Sequence, residues 1–240
     1  MTIRYDVISD KGKVRQNNED IALILNEFIR DSAISFSFEM PENFKFCAIV
    51  SDGMGGLDNG EIASEMATKS FDQFLYNLEE GLDENEIILQ IKQWVKNTNI
   101  DIINKAGDSQ MGCTFSGLFM YENKAFILNI GDSRVYRTRY DHFKQLTTDH
   151  SERNRTKNEN IPSNLIYNAL GIDNVFIDIV PTHIIPGDKY VICSDGLHDM
   201  IDDDTINAII SLGGGAQQLA NAALNAGGKD NVTIILIEIS

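Results

Sequence analysis

The chain is short of positive charge. Among 240 residues it has 20 lysines and arginines against 36 aspartates and glutamates, a formal charge of −16. Nucleic-acid binding demands clustered basic groups, so this balance argues against it. It argues equally against an anionic membrane surface. A solvated acidic surface is the plain account of most of the charge, and bound divalent metals would cancel part of it. Cysteine is scarce as well. Cys47, Cys113 and Cys193 are odd in number, far apart, and set in or beside apolar runs. None has zinc-type spacing, and they read as small core residues in a reducing compartment. No segment approaches the ~18 apolar residues of a membrane span. Met1 to Asp6 lacks the apolar stretch of a signal peptide. The cytoplasm is the expected location. No internal repeat or linker divides the chain, and its length suits one domain with a full core, or at most two small ones.

What is present is a series of strand-like runs broken by helical blocks. Ile3 to Ile8, Ile21 to Leu25 and Phe44 to Val50 read as strands. Asn26 to Asn43 is of mixed composition and reads as a loop or hairpin extension. A helix is expected from about Asn59 to Leu78, with Ile62, Met66, Phe71, Phe74, Leu75 and Leu78 on one face and an Asp58–Glu61 capping box. A second runs from about Asp83 to Lys105, with Asp83 and Glu86 again suited to a capped start. Cys113 to Tyr121, Lys124 to Asn129, Ser133 to Thr138 and His142 to Leu146 follow as strands, punctuated by Asn123 and Asp141. Asp149 to Asn164 reads as a surface loop. Val175 to Val180, Tyr190 to Cys193 and Asn231 to Ile239 complete the strands, and Asp202 to Ser211 and Ala216 to Asn225 the helices. Antiparallel strands interrupted by paired helices imply an α+β layered domain.

Four aspartates stand in Gly-containing turns. They are Asp52 in Ser51-Asp52-Gly53-Met54-Gly55-Gly56, Asp132 in Gly131-Asp132-Ser133-Arg134, Asp195 in Ser194-Asp195-Gly196, and Asp230 in Gly227-Gly228-Lys229-Asp230-Asn231. Three of them closely follow apolar runs. A carboxylate at the end of a buried strand is costly unless positive charge meets it. Hard divalent cations take oxygen ligands of this kind. The strand ends are therefore expected to converge on metal ions. Taken alone, Asp52-Gly53-Met54-Gly55-Gly56 serves equally as a plain strand-to-helix turn, and any single Asp-Gly pair is a common turn. The glycines also leave the Gly53 carbonyl free to join the Asp52 carboxylate as a ligand. Near the N-terminus, Arg15 can fork onto a phosphate, with Glu19 and Asp20 opening the second strand. As a lone segment, Val14 to Asp20 reads as a solvated charged loop.

Seven motifs in order then carry a resemblance: Arg15 with Glu19-Asp20; Asp52-Gly53-Met54-Gly55-Gly56 with Gly60-Glu61-Ile62-Ala63-Ser64; Met111-Gly112-Cys113-Thr114; Gly131-Asp132-Ser133-Arg134-Val135-Tyr136; Thr147-Thr148-Asp149-His150-Ser151; Ser194-Asp195-Gly196-Leu197; and Gly228-Lys229-Asp230-Asn231-Val232-Thr233. Together they resemble the metal-dependent serine/threonine phosphatases of the type 2C family in their compact bacterial form, from Ser9 to Ile239. The resemblance implies one catalytic domain over residues 1–240, built as a four-layer α-β-β-α sandwich of two antiparallel sheets flanked by helices. It makes Asp52 the bridging ligand of two Mn²⁺ or Mg²⁺ ions, with the Gly53 carbonyl on one and Asp195 and Asp230 on the other. Glu19 would bind through water, with Asp20 and Asn231 supporting the ligands from behind. Asp132 with Asp195 resembles the site of a weaker third ion, and Arg15 would clamp the phosphoryl group. Three features depart from the pattern. Cys113 stands where Thr is usual. Met54 stands where some eukaryotic relatives have a His able to protonate the leaving group. Glu152 to Ala169 is short where relatives have a longer flap. His198 is near enough to consider as an acid, against the simpler reading of a surface His in a turn.

The implied activity is hydrolysis of phosphoserine and phosphothreonine in proteins modified by a serine/threonine kinase, a signalling role. Hydroxide bridging the metals would attack phosphorus in line, because binding to metal lowers the pKa of water from 15.7 to about 7. The cysteines lack the electropositive, accessible setting a nucleophile needs. Two other classes stand against this. One is a catalytically weak or inactive relative that binds phosphoproteins, which would typically have lost some of Arg15, Glu19, Asp52, Asp195 and Asp230. The other is a plain cation-binding module, but no EF-hand loop is present.

Overall fold

The apolar strands must be buried on both faces, because their hydrophobic residues run consecutively instead of alternating with polar ones. The computed structural model describes residues 1–41, 44–55, 59–162 and 164–240. It meets that demand with two stacked antiparallel sheets covered by helices. In chain order the elements are β1 (Thr2–Asp10), β2 (Ile21–Ile24), β3 (Glu27–Ile29), β4 (Ser32–Glu39), β5 (Lys45–Ser51), β6 (Gly53–Gly55), α1 (Gly60–Asn77) and α2 (Glu84–Ala106). Then come β7 (Met111–Cys113), β8 (Phe115–Tyr121), β9 (Lys124–Ile130), β10 (Arg134–Arg139), β11 (His142–Gln145), α3 (Glu152–Thr156) and β12 (Asp178–Thr182). The chain finishes with β13 (Lys189–Cys193), α4 (Asp195–His198), α5 (Asp203–Ser211), α6 (Ala216–Asn225) and β14 (Val232–Ile239).

One sheet has the order β11-β10-β13-β14-β1-β4 and the other β12-β9-β8-β5-β2-β3, while β6 and β7 pair as a separate ribbon. Alternate residues of one strand serve two hydrophobic layers. On β5, Phe46, Ala48 and Val50 face the opposite sheet, joined there by Ile235, Ile237 and Ile239 of β14. Cys47 and Ile49 point the other way, against Phe71 of α1 and Trp94 of α2. Ile234 and Leu236 of β14 face Ile206 of α5 and Leu219 of α6. The result is the α-β-β-α stack that the resemblance implied.

Several expectations need correction. Asn26 to Asn43, read as a loop or a hairpin extension, takes the second form over its described residues: β3 turns back on β2 and β4 goes on to pair with β1, with Asn43 outside them. β4 is an edge strand and mostly exposed, so it lacks the burial pattern that marks a strand in sequence. Asp149 to Asn164 contains the short helix α3, capped by the Ser151 hydroxyl, which accepts from the Asn154 N–H. The strand expected at Val175 to Val180 lies instead at Asp178–Thr182 on a sheet edge, where Pro181 is tolerated. The run from Cys113 to Tyr121 breaks at Thr114 into β7 and β8. Helix α1 starts with Asn59 at the N-cap position, and Asp58 lies outside the described residues. Ala63 and Ala67 are fully buried on its inner face, so that it rests close on the sheet, while Ile62, Met66 and Phe74 are only partly buried. The Asp83–Glu86 capping box of α2 is formed on both sides.

A second structural feature is ionic. Asp188, fully buried at its side chain, takes two hydrogen bonds from Arg139, Nε to Oδ1 at 2.7 Å and Nη2 to Oδ2 at 2.6 Å. The Ile185 N–H and the Tyr190 hydroxyl donate to Oδ2 as well. Burial alone would raise the Asp188 carboxyl, but these donors outweigh it and hold it below the usual carboxylate range. Its contribution to stability is therefore present above the unfolded-state value of about 3.9 and lost as pH falls through the lowered folded value. Asp188→Ala should destabilise the protein by about 3 kcal/mol at pH 7, the lower end for breaking a buried pair. Urea titrations of both proteins at neutral and acid pH check this. The gap should narrow in acid, and a neutral-pH gap below about 0.5 kcal/mol, the size of an ordinary surface change, would show the network to be idle.

Candidate functional site

The acidic turns meet because antiparallel pairing brings strand ends together. Cys193 pairs with Ile234, so the end of β13 lies beside the start of β14 and Asp195 comes close to Asp230. Asp52 follows β5 in the facing sheet, and Asp132 follows β9 two strands away. Arg15, Glu19, Asp52, Gly53, Asp132, Asp195 and Asp230 line one cleft of about 280 Å³, together with Met54, Thr114, Asn164 and Ile166. Gly56 lies outside the described residues.

The backbone around the cleft is tightly pinned. A Cβ on Gly53 would sit 2.2 Å from the Gly60 carbonyl oxygen and 2.7 Å from that of Glu19, so only glycine fits. The Gly53 N–H donates to the Glu19 carbonyl at 3.2 Å. The Asp52 N–H donates to the Thr114 hydroxyl at 2.9 Å, and the Thr114 N–H returns a bond to the Asp52 carbonyl at 2.8 Å. Asn231 fastens the N-terminal loop: its Oδ1 accepts from the Glu19 N–H, and its Nδ2 donates to the carbonyls of Lys11 and Asn17. Asp20 is fully buried behind the cleft, where Oδ2 accepts from the Ser194 hydroxyl at 2.6 Å.

These carboxyl groups burden one another. Burial, then the charges of Asp20, Asp195, Asp132 and Asp230, lifts Asp52 well above the ordinary carboxylate value. Asp195 is raised by burial and by Asp230, and a hydrogen bond with Asp52 offsets part of this. Burial pushes Asp20 up to about 7 against the opposing Ser194 bond, and burial with Asp195 pushes Asp132 to about 7. Arg15 answers one group: its Nη2 lies 2.6 Å from Asp230 Oδ2, and that bond raises the guanidinium pKa. Among the described residues, no three acidic, imidazole or thiol side chains are gathered as a ready-made metal cage. The donor set nonetheless fits Mg²⁺ or Mn²⁺, because such ions keep several waters and need only one or two carboxylates each. Asp20 Oδ1, behind the cleft, is buried without a hydrogen-bond partner.

His198 is not a surface residue. Its side chain is 2% exposed, its Nε2 lies 3.2 Å from the Asp132 carbonyl oxygen, and it does not line the cleft. The segment from Glu152 to Ala169, though short, does reach the cleft through Asn164 and Ile166. Cys113 is fully buried in the core and burial lifts its thiol to about 12, and Cys47 and Cys193 are likewise buried and raised.

Sequence reasoning missed several positioning groups. Thr114 was visible only as a motif letter. His150 joins three segments: Nδ1 accepts from the Gly131 N–H at 3.1 Å and stands 2.8 Å from Asn168 Nδ2, while Nε2 stands 3.0 Å from Asp178 Oδ2. Two donors at Nδ1 put the ring proton on Nε2, facing the Asp178 carboxylate. Arg134 grips Asp149 through Nε and Nη2. Both contacts hold the turn that carries Asp132.

Residues 29–222 match the family model described as Protein phosphatase 2C. A putative protein phosphatase 2C-type of Streptococcus pyogenes is 31% identical over 98% of this chain and 97% of its own. The serine/threonine phosphatase stp of Listeria monocytogenes is 29% identical over 96% and 93%. The fold matches the S. agalactiae serine/threonine phosphatase with a TM-score of 0.85, at 24% identity over 99% of this chain and 100% of that one. It also matches the catalytic domain of the phosphatase PstP in complex with two manganese ions, with a TM-score of 0.79 at 27% identity over 100% and 99%. With the sandwich, the cleft and the matched sequence in agreement, this chain belongs to the protein phosphatase 2C family.

Proposed function

We propose that the chain, acting as one catalytic domain over residues 1–240, hydrolyses phosphoserine and phosphothreonine in phosphorylated proteins with the aid of two Mn²⁺ or Mg²⁺ ions. The reading is supported above all by the gathering of Glu19, Asp52, Gly53, Asp195, Asp230 and Arg15 around one polar cleft in a chain of this family. The same completeness disfavours a merely phosphoprotein-binding relative. Asp52 would hold both ions, joined by the Gly53 carbonyl on one side and by Asp195 and Asp230 on the other. Glu19 would act through water, with Asp20 and Asn231 behind it. When bound, the ions supply water acidified towards neutrality and positive charge for the phosphoryl oxygens. The likeness to PstP with manganese supports two ions, and a serine/threonine kinase would supply the substrates. Among the described residues, no helix is long and apolar enough to cross a membrane.

Arg15 is half-exposed and reaches the cleft from a loop. It would leave Asp230 for the substrate phosphoryl group, which it grips as a planar fork. Arg15→Ala should lower kcat/KM on the order of 10- to 150-fold, since a charged hydrogen bond is worth roughly 1.5–3 kcal/mol. Steady-state kinetics with a phosphopeptide tests this, and a change within twofold would return Arg15 to the role of a solvated loop residue. A rise in KM alone would mean that the contact is equal in ground and transition states.

Asp132 would hold a weaker third ion with Asp195. Activity should then keep rising with Mn²⁺ beyond the concentration that fills the central pair, and Asp132→Ala should remove that late rise. Metal titrations followed by calorimetry and by rate would decide. Superimposable curves for the two proteins would leave Asp132 as a turn residue only.

A further inference from the structure

Met54 stands between two concavities. It lines the polar cleft, and it also lines a second space of about 660 Å³. That space lies between the end of α2, the strand β7 and the residues after the 152–169 segment. Ile103 and Ala106 come from α2, Met111 from β7 and Ile172 from beyond the segment. Met111 is buried, while Ile103, Ala106 and Ile172 are partly exposed. A volume of ~300–1,000 Å³ with mainly apolar walls and a few polar groups is typical of a ligand site. The cleft differs in kind. At about 280 Å³ and lined by five carboxylates and Arg15, it suits a phosphorylated side-chain head and offers little to the rest of a polypeptide.

The two spaces share structural parts. Met54 pairs with Gly112 in the β6–β7 ribbon, and Gly53 pairs with Cys113. A Cβ on Gly112 would lie 2.5 Å from the Leu170 carbonyl oxygen and 3.8 Å from Met54 Cγ, so Met54 rests over bare backbone. Cys113 and Leu170 exchange backbone hydrogen bonds of 3.0 and 2.9 Å, which fix the start of the Ile172 wall to the same ribbon. The ribbon that carries Gly53 into the cleft thus also builds the apolar space.

We propose that this space is a substrate subsite that takes an apolar side chain of the phosphorylated protein, within about three residues of the phosphorylated one, the reach of an extended chain past a single side-chain wall. The inference rests on the phosphatase reading above. It names the substrate as occupant because of continuity: a protein whose phosphoryl group lies in the cleft already touches Met54, and its next residues are presented to the apolar wall at high effective concentration. The flexible thioether of Met54 can adapt to different side chains crossing it.

The test uses phosphothreonine peptides with alanine at the flanking positions and leucine placed at each in turn, with 4-nitrophenyl phosphate as a substrate that has no polypeptide. In Mn²⁺, leucine at one position should raise kcat/KM about 10-fold or more over the alanine parent. Ile172→Asp and, separately, Ile103→Asp should abolish that preference and leave 4-nitrophenyl phosphate turnover within twofold. Methyl NMR signals of Ile103, Met111 and Ile172 should shift with the leucine peptide and stay in place with inorganic phosphate. A leucine preference at no position, or one that survives both variants, would overturn the subsite. Equal losses on both substrates would do so too, by tracing the effect to the cleft. A wild-type protein inert to peptide and aryl phosphate alike would instead overturn the phosphatase reading beneath it.

Discussion

Asp52→Asn is expected to remove nearly all activity while making the metal-free protein harder to melt. Both effects come from one carboxylate. Asp52 lies at the centre of the acidic group, and burial plus four other aspartates already drives its carboxyl towards the neutral form. Asparagine keeps the size and the polarity but cannot carry the negative charge that would bridge two cations. Removing one preorganised electrostatic group from an active site typically costs 10²–10³ in rate, so loss of a shared ligand should cost on the order of 10³-fold or more. In the presence of a chelator the sign reverses, because at neutral pH the wild-type protein must either take up a proton on Asp52 or ionise it against its neighbours, a cost that the neutral amide avoids. A gain of about 1 kcal/mol would raise Tm by about 2–4 °C in a chain of this length. Activity near the wild-type level in Mn²⁺ would remove Asp52 from the proposed role. A lower Tm than wild type in chelator would contradict the charge argument.

The same cluster predicts how the metal-free protein responds to pH. Asp20 and Asp132 titrate near 7 in the folded state, and Asp52 and Asp195 are raised with them. The unfolded carboxyls titrate near 3.9, so between about 4 and 7 the folded state holds more protons than the unfolded one. Stability contributed by these groups is thus full below about 4 and is lost as pH rises through the folded values. Metal-free protein should become steadily easier to unfold over that window. Addition of Mn²⁺ or Mg²⁺ at pH 7.5 should reverse the loss and release protons. At about a hundred times its dissociation constant, one bound ion adds about 2.7 kcal/mol, or about 5–10 °C in Tm. Calorimetry in buffers of different ionisation enthalpy reads both quantities. Stability that is flat from pH 4 to 7, or binding with no proton release, would show that the carboxylates are not crowded as the fold arranges them.

The parts of the molecule that could be read from sequence share a local signature. Asp52, Asp195 and Asp230 announce themselves because glycine-bearing turns stand beside apolar strands, and the fold does bring them to one cleft. The start of α2 was legible because Asp83 and Glu86 form a capping box within one turn. What escaped depends on distant partners or on exposure. β4 is an edge strand whose residues are mostly exposed, so its composition does not separate it from a loop. His150 looks like any polar residue until Gly131, Asn168 and Asp178 surround it. From sequence His198 is either an acid near the site or, more simply, a surface residue, because a turn after Asp195-Gly196 is usually solvated; packing against the Asp132 turn buries it. Met54 gave no sign that it would wall two spaces, since the second space is made by helix, ribbon and loop from three regions of the chain.

Phosphate release from a phosphothreonine peptide by protein stripped of divalent ions, measured before and after Mn²⁺ is restored, tests the central claim most directly. Hydrolysis by metal-held hydroxide requires no turnover above the buffer rate in the stripped protein, recovery on addition of Mn²⁺, and no phosphorylated protein at any time during turnover. Undiminished release in the stripped protein, or a phosphorylated side chain trapped during turnover, would contradict it.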